Sequence, residues 1–187
     1  MSFRYRNWVF RNCDVLVASS KVGLVGKNGC GKTTLLKLLD QQLTPQKGHI
    51  RVDGTTYMVD FNLSAYKSFW PSDLIKICER LRSFSVSSAP TIIDCLQLGD
   101  HLQTPIGELS LGTAKKVSLL MGFMSTADIL LIDEPFESLD EESSAGVIGL
   151  LGQRAGDHVI VSHDRTTLVK CVDSLWTIDE MRLRGIP

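Results

Sequence analysis

The sequence predicts an α/β fold with a mainly parallel sheet that is covered on both faces by helices. Three short apolar runs, at residues 22–25, 129–132 and 159–162, are typical of buried strands. The segments between them carry apolar residues at helical spacing, and a glycine-rich stretch joins the first of these strands to the helix that follows it. Strands that alternate with helices favour parallel pairing, because a helical crossover returns the chain to the same end of the sheet.

The remaining segments are assigned by the same patterns. The chain roughly to residue 20 is predicted to form short strands of an N-terminal antiparallel part. Residues 50–59 are predicted to form two strands around a turn at Asp53 and Gly54. Residues 64–107 are predicted to form a small inserted helical subdomain, and helices are predicted from Leu109 and over residues 143–153. We expect one domain over residues 1–187.

The composition excludes several classes of protein. The 187 residues suit one domain, and 43% hydrophobic residues suffice for a core. The 20 basic and 21 acidic residues leave a net charge of −1, so we expect no nucleic-acid partner. The five cysteines form no CxxC pair, which indicates free thiols in a reducing compartment. We expect no signal peptide and no membrane span, because no apolar stretch has the length for either.

Residues 26–34 contain the pattern GxxxxGK(S/T), which predicts a phosphate-binding loop. Its glycines allow consecutive backbone N–H groups to turn inward around phosphate oxygens, and the following helix contributes its positive N-terminal end. We expect Lys32 to reach the β- and γ-phosphates of ATP and Thr33 to hold Mg²⁺. The residues predicted to bind the nucleotide in this loop are Gly26, Asn28, Gly29, Cys30, Gly31, Lys32, Thr33 and Thr34.

The apolar run at residues 129–132 ends in two carboxylates. Asp133 is predicted to support the magnesium shell, commonly through water. Glu134 lies one residue further, where it can polarise water against the γ-phosphate. The alternative, a solvated acidic turn, is outweighed by the phosphate-binding loop in the same chain.

Three further segments complete a pattern that resembles a known family. The sequences LSLGT at residues 109–113, SLD at 138–140 and SHD at 162–164 stand before and after the carboxylate strand. In this order the segments closely resemble the nucleotide-binding domain of ATP-binding-cassette (ABC) ATPases, which have a P-loop NTPase fold. The resemblance covers nearly the whole chain, with Walker A at residues 26–33, the signature at 109–113, Walker B at 129–133 and the D-loop at 138–140.

The resemblance implies a composite site between two cassettes that meet head to tail. Each ATP would lie between the Walker motifs of one cassette and the signature of the other. Ser110 and Gly112 would then contact the γ-phosphate of the partner's nucleotide, and Asp140 would act across the interface. The second cassette is expected to be either an identical or a different chain.

Within one chain, the resemblance assigns three catalytic residues and an adenine contact. Glu134 matches the catalytic glutamate, and His163 matches the switch histidine that contacts the γ-phosphate, while Lys32 completes the set. Tyr5 lies at about the distance from the loop where the family places an aromatic ring that stacks on adenine. Trp8 is the alternative for this position.

Two parts of the sequence depart from the family pattern. The usual signature is LSGGQ, whereas here Leu111 replaces a glycine and Thr113 replaces the glutamine. The family also has a glutamine at the end of the strand predicted at residues 55–59, where it ligates Mg²⁺ and couples the site to a permease. Asp60 stands at that point, and the alternatives are Asp60 as metal ligand, Asn62 in the same role, or a loop with neither role.

The resemblance implies an ATPase subunit of a membrane transporter, held on the cytoplasmic face of the membrane by a separate permease. Signatures of the LSxG type resemble those of compact exporter ATPases. The alternatives are a soluble regulatory ABC ATPase and a scaffold that binds ATP with weak hydrolysis. Tyr66 and residues 69–71 are expected either to line the groove that receives the permease or to fill the core of the helical subdomain.

Overall fold

The fold of the chain is given by a computed structural model that describes residues 1–186. The chain divides into two compact units. The first comprises Met1–Met58, Asp128–Pro135 and Ala155–Pro187, and the second comprises Val59–Ala127 and Phe136–Arg154. All named strands lie in the first unit, whereas the second is built from helices.

The first unit contains a small and a large sheet. β1 (Phe3–Arg4) and β2 (Trp8–Phe10) pair antiparallel as a separate two-stranded sheet. The large sheet has six strands, which are β3 (Lys21–Val25), β4 (Thr56–Met58), β5 (Ile129–Asp133), β6 (Asp157–Val161), β7 (Ser174–Asp179) and β8 (Arg182–Ile186). Their spatial order is β4-β5-β6-β3-β7-β8, and only β8 runs antiparallel to its neighbour. The predicted mainly parallel sheet and N-terminal antiparallel part are confirmed.

Helices cover both faces of this sheet. The helices of the chain are α1 (Lys32–Leu39), α2 (Pro71–Glu79), α3 (Ala89–Cys95), α4 (Leu111–Met124), α5 (Glu141–Gln153) and α6 (Arg165–Leu168). In the first unit, Leu36 of α1 is buried in one cluster with Leu24 of β3. Gly23 precedes Leu24 and therefore faces the opposite side, where a Cβ atom would lie 3.5 Å from Leu168 Cδ1 of α6.

The predicted hairpin at Asp53 and Gly54 is wrong. Residues 48–55 contain no strand, and β4 pairs in parallel with β5 instead. The carboxylate of Asp128 explains this pairing, because it accepts hydrogen bonds from the backbone N–H of Thr55 at 2.7 Å and from its hydroxyl at 2.8 Å. These bonds align the start of β4 with β5. β4 therefore pairs with β5 and not with residues 50–53, which would have formed the other strand of the predicted hairpin.

The second unit contains residues 64–107 together with α4 and α5. α3 packs against both of these helices, and its contact with α5 is close: a Cβ atom at Gly146 would lie 2.1 Å from the backbone oxygen of Cys95. α4 begins at Leu111, two residues after the predicted start, because Ser110 is its N-cap. α5 begins at Glu141, with Asp140 as its N-cap.

Two glycines of α5 should respond in opposite ways to the same substitution. We expect Gly146→Ala to lower the free energy of unfolding by about 1–3 kcal/mol, because the clash with Cys95 exceeds a helix-propensity gain of about 1 kcal/mol. Gly149→Ala is the matched control and should raise the free energy of unfolding by up to about 1 kcal/mol, since nothing lies within 4 Å of the Cβ position of Gly149. Urea denaturation followed by circular dichroism measures both. Stabilisation by both substitutions would show that α3 and α5 are not in this contact.

Candidate functional site

The phosphate-binding loop lies between the carboxyl end of β3 and the start of α1. Gly31 requires glycine for two reasons, since its φ is 112° and a Cβ atom would lie 2.4 Å from Val9 Cγ1. Gly31 is also the N-cap of α1 and provides no side-chain acceptor, so the first amides of the helix can bind an anion. The buried Lys32 ammonium donates to the backbone oxygens of Gly26 at 2.8 Å and Lys27 at 3.2 Å, which holds it at the loop.

Thr33 and Asp133 bring two oxygen ligands together. The Thr33 hydroxyl donates a short hydrogen bond to Oδ2 of Asp133, the last residue of β5. Hydroxyl and carboxylate oxygens are ligands that suit Mg²⁺, which commonly takes its remaining ligands from phosphates and water. Within residues 1–186, no group of three His, Cys, Asp or Glu side chains is arranged to hold a metal alone. The pair of Thr33 and Asp133 therefore offers two oxygen ligands of a kind that suits Mg²⁺.

Glu134 and His163 form a second pair in the same unit. Oε2 of Glu134 lies 3.0 Å from His163 Nδ1 and accepts a hydrogen bond of 3.2 Å from the His163 backbone N–H. Glu134 has a φ of 51°, a left-handed conformation that is costly for a residue with a side chain. Its backbone N–H donates to Val161 of β6 at 2.8 Å, so the neighbouring strand holds this conformation in place.

Asp164 fixes the turn that carries His163. Its carboxylate is the N-cap of α6 and accepts hydrogen bonds from the backbone N–H groups of Thr166 at 2.9 Å and Thr167 at 3.3 Å. The hydrogen bond from the Thr167 hydroxyl, with those from the two N–H groups, holds the pKa of Asp164 below its ordinary value. Asp164 is not among the predicted site residues, although Asp is one of the residues preferred at helix N-caps.

A cavity of about 970 Å³ adjoins the loop and contains both candidate adenine contacts. Tyr5 and Trp8 line it together with Gly29 and Cys30. The Arg4 guanidinium lies 5.2 Å from the centre of the Trp8 ring and covers one of its faces. Tyr5 is 60% exposed and meets Phe3 edge to face. This difference favours Tyr5 over Trp8 as the ring available to a base.

The signature residues lie in the second unit at the start of α4. Ser110 Oγ accepts from the backbone N–H of Thr113 at 3.1 Å and lies 2.7 Å from its hydroxyl oxygen. Thr113, which replaces the family glutamine, is thus part of the helix cap. Leu111 is 76% exposed, and Gly112 has no room for a side chain because a Cβ atom would lie 2.6 Å from the backbone oxygen of Ser138.

Asp140 and Asp60 also lie in the second unit. The Asp140 carboxylate binds Lys116 Nζ at 2.9 Å and accepts from the backbone N–H of Ser143 at 2.7 Å. The Lys116 ammonium, assisted by Ser143, holds the pKa of Asp140 well below its ordinary value. Asp60 accepts a hydrogen bond of 2.8 Å from the backbone N–H of Asn62, in a local turn. The role of Lys116 could not be predicted from local sequence, since its partner Asp140 lies 24 residues away.

The predicted site residues therefore separate by unit. The first unit holds the loop residues, Tyr5, Asp133, Glu134 and His163, and it brings Thr33 to Asp133 and Glu134 to His163. The second unit holds Ser110, Gly112, Asp140 and Asp60. The predicted roles of these residues stay predictions.

Comparison with known proteins decides the family of this site. A family model described as ABC transporter matches residues 15–137, more than half of the chain. The chain belongs to the ABC transporter family. ABC-family domains are nucleotide-binding ATPases, so the predicted family and enzyme class are confirmed.

Curated relatives of this ABC domain have different printed functions. Ribosome protection protein VmlR of Bacillus subtilis is 31% identical over 177 residues, which are 94% of this chain and 29% of VmlR. ATP-dependent lipid A-core flippase of Alkalilimnicola ehrlichii is 27% identical over 212 residues, covering 98% of this chain and 36% of the flippase. The chain spans 27–36% of the length of the first five curated relatives it matches.

The fold of this ABC domain agrees with solved structures. An ATP-binding subunit of an ABC transporter superposes with a TM-score of 0.85, covering 99% of this chain and 87% of the other. The two are 20% identical, so the likeness shows the fold alone. The predicted ABC-type P-loop fold is confirmed.

Replacing each aromatic ring of the cavity should identify the adenine contact. We expect Tyr5→Leu to raise the Kd of ATP by about 5- to 150-fold, since stacking of an aromatic ring on a base contributes roughly 1–3 kcal/mol. Trp8→Leu is the matched control and should leave the Kd of ATP within about two-fold of wild type. Arg4 covers one face of the Trp8 ring, so we do not expect adenine to stack on it. Titration with a fluorescent ATP analogue measures both. The reverse order of effects would assign the base to Trp8.

Proposed function

We propose that this ABC domain binds ATP with Mg²⁺ and hydrolyses it at the loop of the first unit. The observation that carries the proposal is the meeting of Thr33 with Asp133 and of Glu134 with His163. Each pair joins a residue that follows one parallel strand to a residue at the end of β5, at the sheet edge where ligands of α/β proteins bind.

In this proposal, the loop and Lys32 bind the phosphates. The backbone N–H groups of Gly29 and Gly31 and the amides at the start of α1 face the β-phosphate, and the Lys32 ammonium moves from the loop carbonyls to the β- and γ-phosphate oxygens. Thr33 and Asp133 would hold Mg²⁺, which neutralises charge on the phosphate oxygens when it is bound.

Glu134 is the proposed base and His163 its positioning partner. The Glu134 carboxylate accepts a hydrogen bond from a water molecule and orients its oxygen toward the γ-phosphorus. The water oxygen forms the new O–P bond as the bond to the bridging oxygen breaks, and the Glu134 carboxylate accepts the proton that the water loses. ADP then leaves, and phosphate forms. The backbone N–H of His163 keeps the carboxylate in position, while the His163 ring contacts the γ-phosphate.

We further propose a composite site formed head to tail by two ABC domains. Ser110 and Gly112 would contact the γ-phosphate of the partner's nucleotide, because the start of the fourteen-residue α4 provides oriented amides. The exposed Leu111 at the same helix start supports an interface there, since an exposed leucine gains from burial. Asp140 would act beside this interface, and Asp60 is the proposed additional metal ligand, with Asn62 as the alternative.

The reaction and the pairing can be tested with one substitution. We expect Glu134→Gln to lower ATP turnover by at least about 100-fold, the range for loss of a general base, while ATP binding persists. The variant should then accumulate as an ATP-bound pair, which light scattering detects as a doubled mass. Lys32→Ala is the control, and it should neither bind ATP nor pair. A Glu134→Gln protein that stays monomeric at saturating Mg-ATP, alone and with a candidate partner cassette, would contradict the composite site.

For the physiological role, we propose that the domain drives a separate membrane permease, as an exporter, from the cytoplasmic face of the membrane. Three exposed aromatic residues of the second unit support a protein partner there: Tyr66, Phe69 and Trp70, each more than 40% exposed. We name them the aromatic patch. The alternative, in which Tyr66 and residues 69–71 fill the core of the helical subdomain, is wrong for the three exposed aromatic residues, whereas Pro71 is buried. Aromatic side chains of this kind commonly dominate binding energy at interfaces.

A soluble regulatory role is the second candidate. It is favoured by the 31% identity to a protein named for ribosome protection. None of the helices in the described part of the chain has the length and apolar character needed to cross a membrane. The aromatic patch supports a protein partner in either role, and the scaffold alternative is disfavoured by the intact pair of Glu134 and His163.

Capture of the partner separates the two roles. We expect tagged Glu134→Gln protein, purified from its host in mild detergent with Mg-ATP, to retain an integral membrane protein in equal amount by mass spectrometry. Adding Phe69→Ala and Trp70→Ala should reduce this recovery by about ten-fold or more, as for interface hot spots. Val169→Ala is the matched control, because Val169 is also exposed but lies in the first unit. Recovery of ribosomes with an empty membrane fraction would establish the soluble role instead.

A further inference from the structure

Two lysines on α4 are almost completely buried. Lys115 and Lys116 are each 9% exposed, which is rare for lysine unless the ammonium has specific partners. Both partners belong to the short segment at residues 137–140, which precedes α5. All of these residues lie in the second unit.

Lys116 binds the end of this segment. Its ammonium lies 2.9 Å from Oδ2 of Asp140, and the same carboxylate accepts from the backbone N–H of Ser143 at 2.7 Å and from its hydroxyl at 2.9 Å. Asp140 is thus held between α4 and the first turn of α5. Since the Lys116 side chain is 11% exposed, removal of its partner would leave a buried charge.

Lys115 binds the beginning of the segment. Its ammonium donates to the backbone oxygen of Glu137 at 2.9 Å and lies 4.8 Å from the centre of the Phe61 ring. The bond to a backbone oxygen does not depend on the side chain of Glu137. It therefore fixes the path of the chain itself.

Gly112 contacts the middle of the segment. A Cβ atom there would lie 2.6 Å from the backbone oxygen of Ser138, and Ser138 has the left-handed φ of 64°. Positions 115 and 116 lie three and four residues after position 112, so both are on the same side of α4 as Gly112. This side of α4 begins within the signature and contacts the segment at its start, middle and end.

We propose that Lys116, assisted by Lys115, is a positioning residue that fixes residues 137–140 to α4, so that the signature and this segment move as one body. When Ser110 and Gly112 contact a partner's nucleotide, residues 137–140 would then move together with them, and the fold would not change. The inference rests on the proposed ATPase function and extends it to residues that touch no nucleotide.

The test combines hydrogen exchange with kinetics on the full chain. In Lys116→Met, which keeps the stem but removes the charge, backbone amides of residues 137–143 should exchange about ten-fold faster than in wild type, as expected for loss of local protection. The kcat for ATP should fall by about 10- to 100-fold, the range for misplacement of groups remote from the chemistry, with little change in KM. Lys116→Arg keeps the charge and should restore both properties.

Lys76→Met provides the matched control, because Lys76 is exposed and its ion pair with Asp73, at 3.6 Å, lies on α2 of the same unit. It should leave exchange and kcat unchanged. If Lys116→Met does not fold, hydrogen exchange in Asp140→Asn replaces it, since asparagine still caps α5 while the ion pair is lost. Only exchange is compared in this variant, because Asp140 itself is proposed to act at the interface.

The outcomes are distinct. Unchanged exchange at residues 137–143 in a folded Lys116→Met protein would overturn the inference, as would equal loss of kcat in Lys116→Met and Lys116→Arg. Faster exchange with an unchanged kcat would overturn the inference that the position of residues 137–140 affects ATP turnover. A wild-type protein that does not hydrolyse ATP would contradict the proposed function, while the exchange measurement would still decide whether Lys116 holds the segment.

Discussion

The candidate site depends on the parallel order of β5, β6 and β3. Each of these neighbouring strands ends at the same edge of the sheet, so the loop after β3, the carboxylates at the end of β5 and the histidine after β6 meet there. The hydrogen bond between Thr33 and Asp133 spans 100 residues of sequence, and no local turn could bring these groups together. A change of strand order would separate the residues without altering any of the motifs.

The site also depends on backbone conformations that are unfavourable in isolation. Glu134 and Ser138 have φ values of 51° and 64°, in a region where side chains crowd the backbone. Such conformations cost about 1–3 kcal/mol each and persist when the surroundings determine them. At Glu134 the surroundings are a backbone hydrogen bond to Val161 and two contacts from His163. At Ser138 the surroundings are the bonds from Lys115 and Lys116 of α4 to the neighbouring residues Glu137 and Asp140.

The sequence was sufficient to predict the features whose determinants are local. The phosphate-binding loop and the apolar strand before Asp133 are of this kind. The turn between β7 and β8 could not be predicted, because Glu180 and Met181 occupy positive φ angles where Asn and Gly are the usual residues. Pairs of Arg184 with Asp179 and Glu180 support this turn, and their geometry is visible only in the fold. The failed hairpin at Asp53 has a similar origin, since Asp128, which directs β4 to β5, lies 73 residues beyond Thr55.

The N-caps of α5 and α6 make a pH-dependent contribution to stability. The folded-state pKa values of Asp140 and Asp164 are both lowered, so their contribution to stability is fully present above the ordinary aspartate pKa of about 3.9. It is lost only as the pH falls below that value toward the lowered pKa. Near neutral pH neither cap titrates, and the segment before α5 and the turn that carries His163 keep their geometry. A change of turnover with pH in that range therefore does not come from titration of these two helix caps.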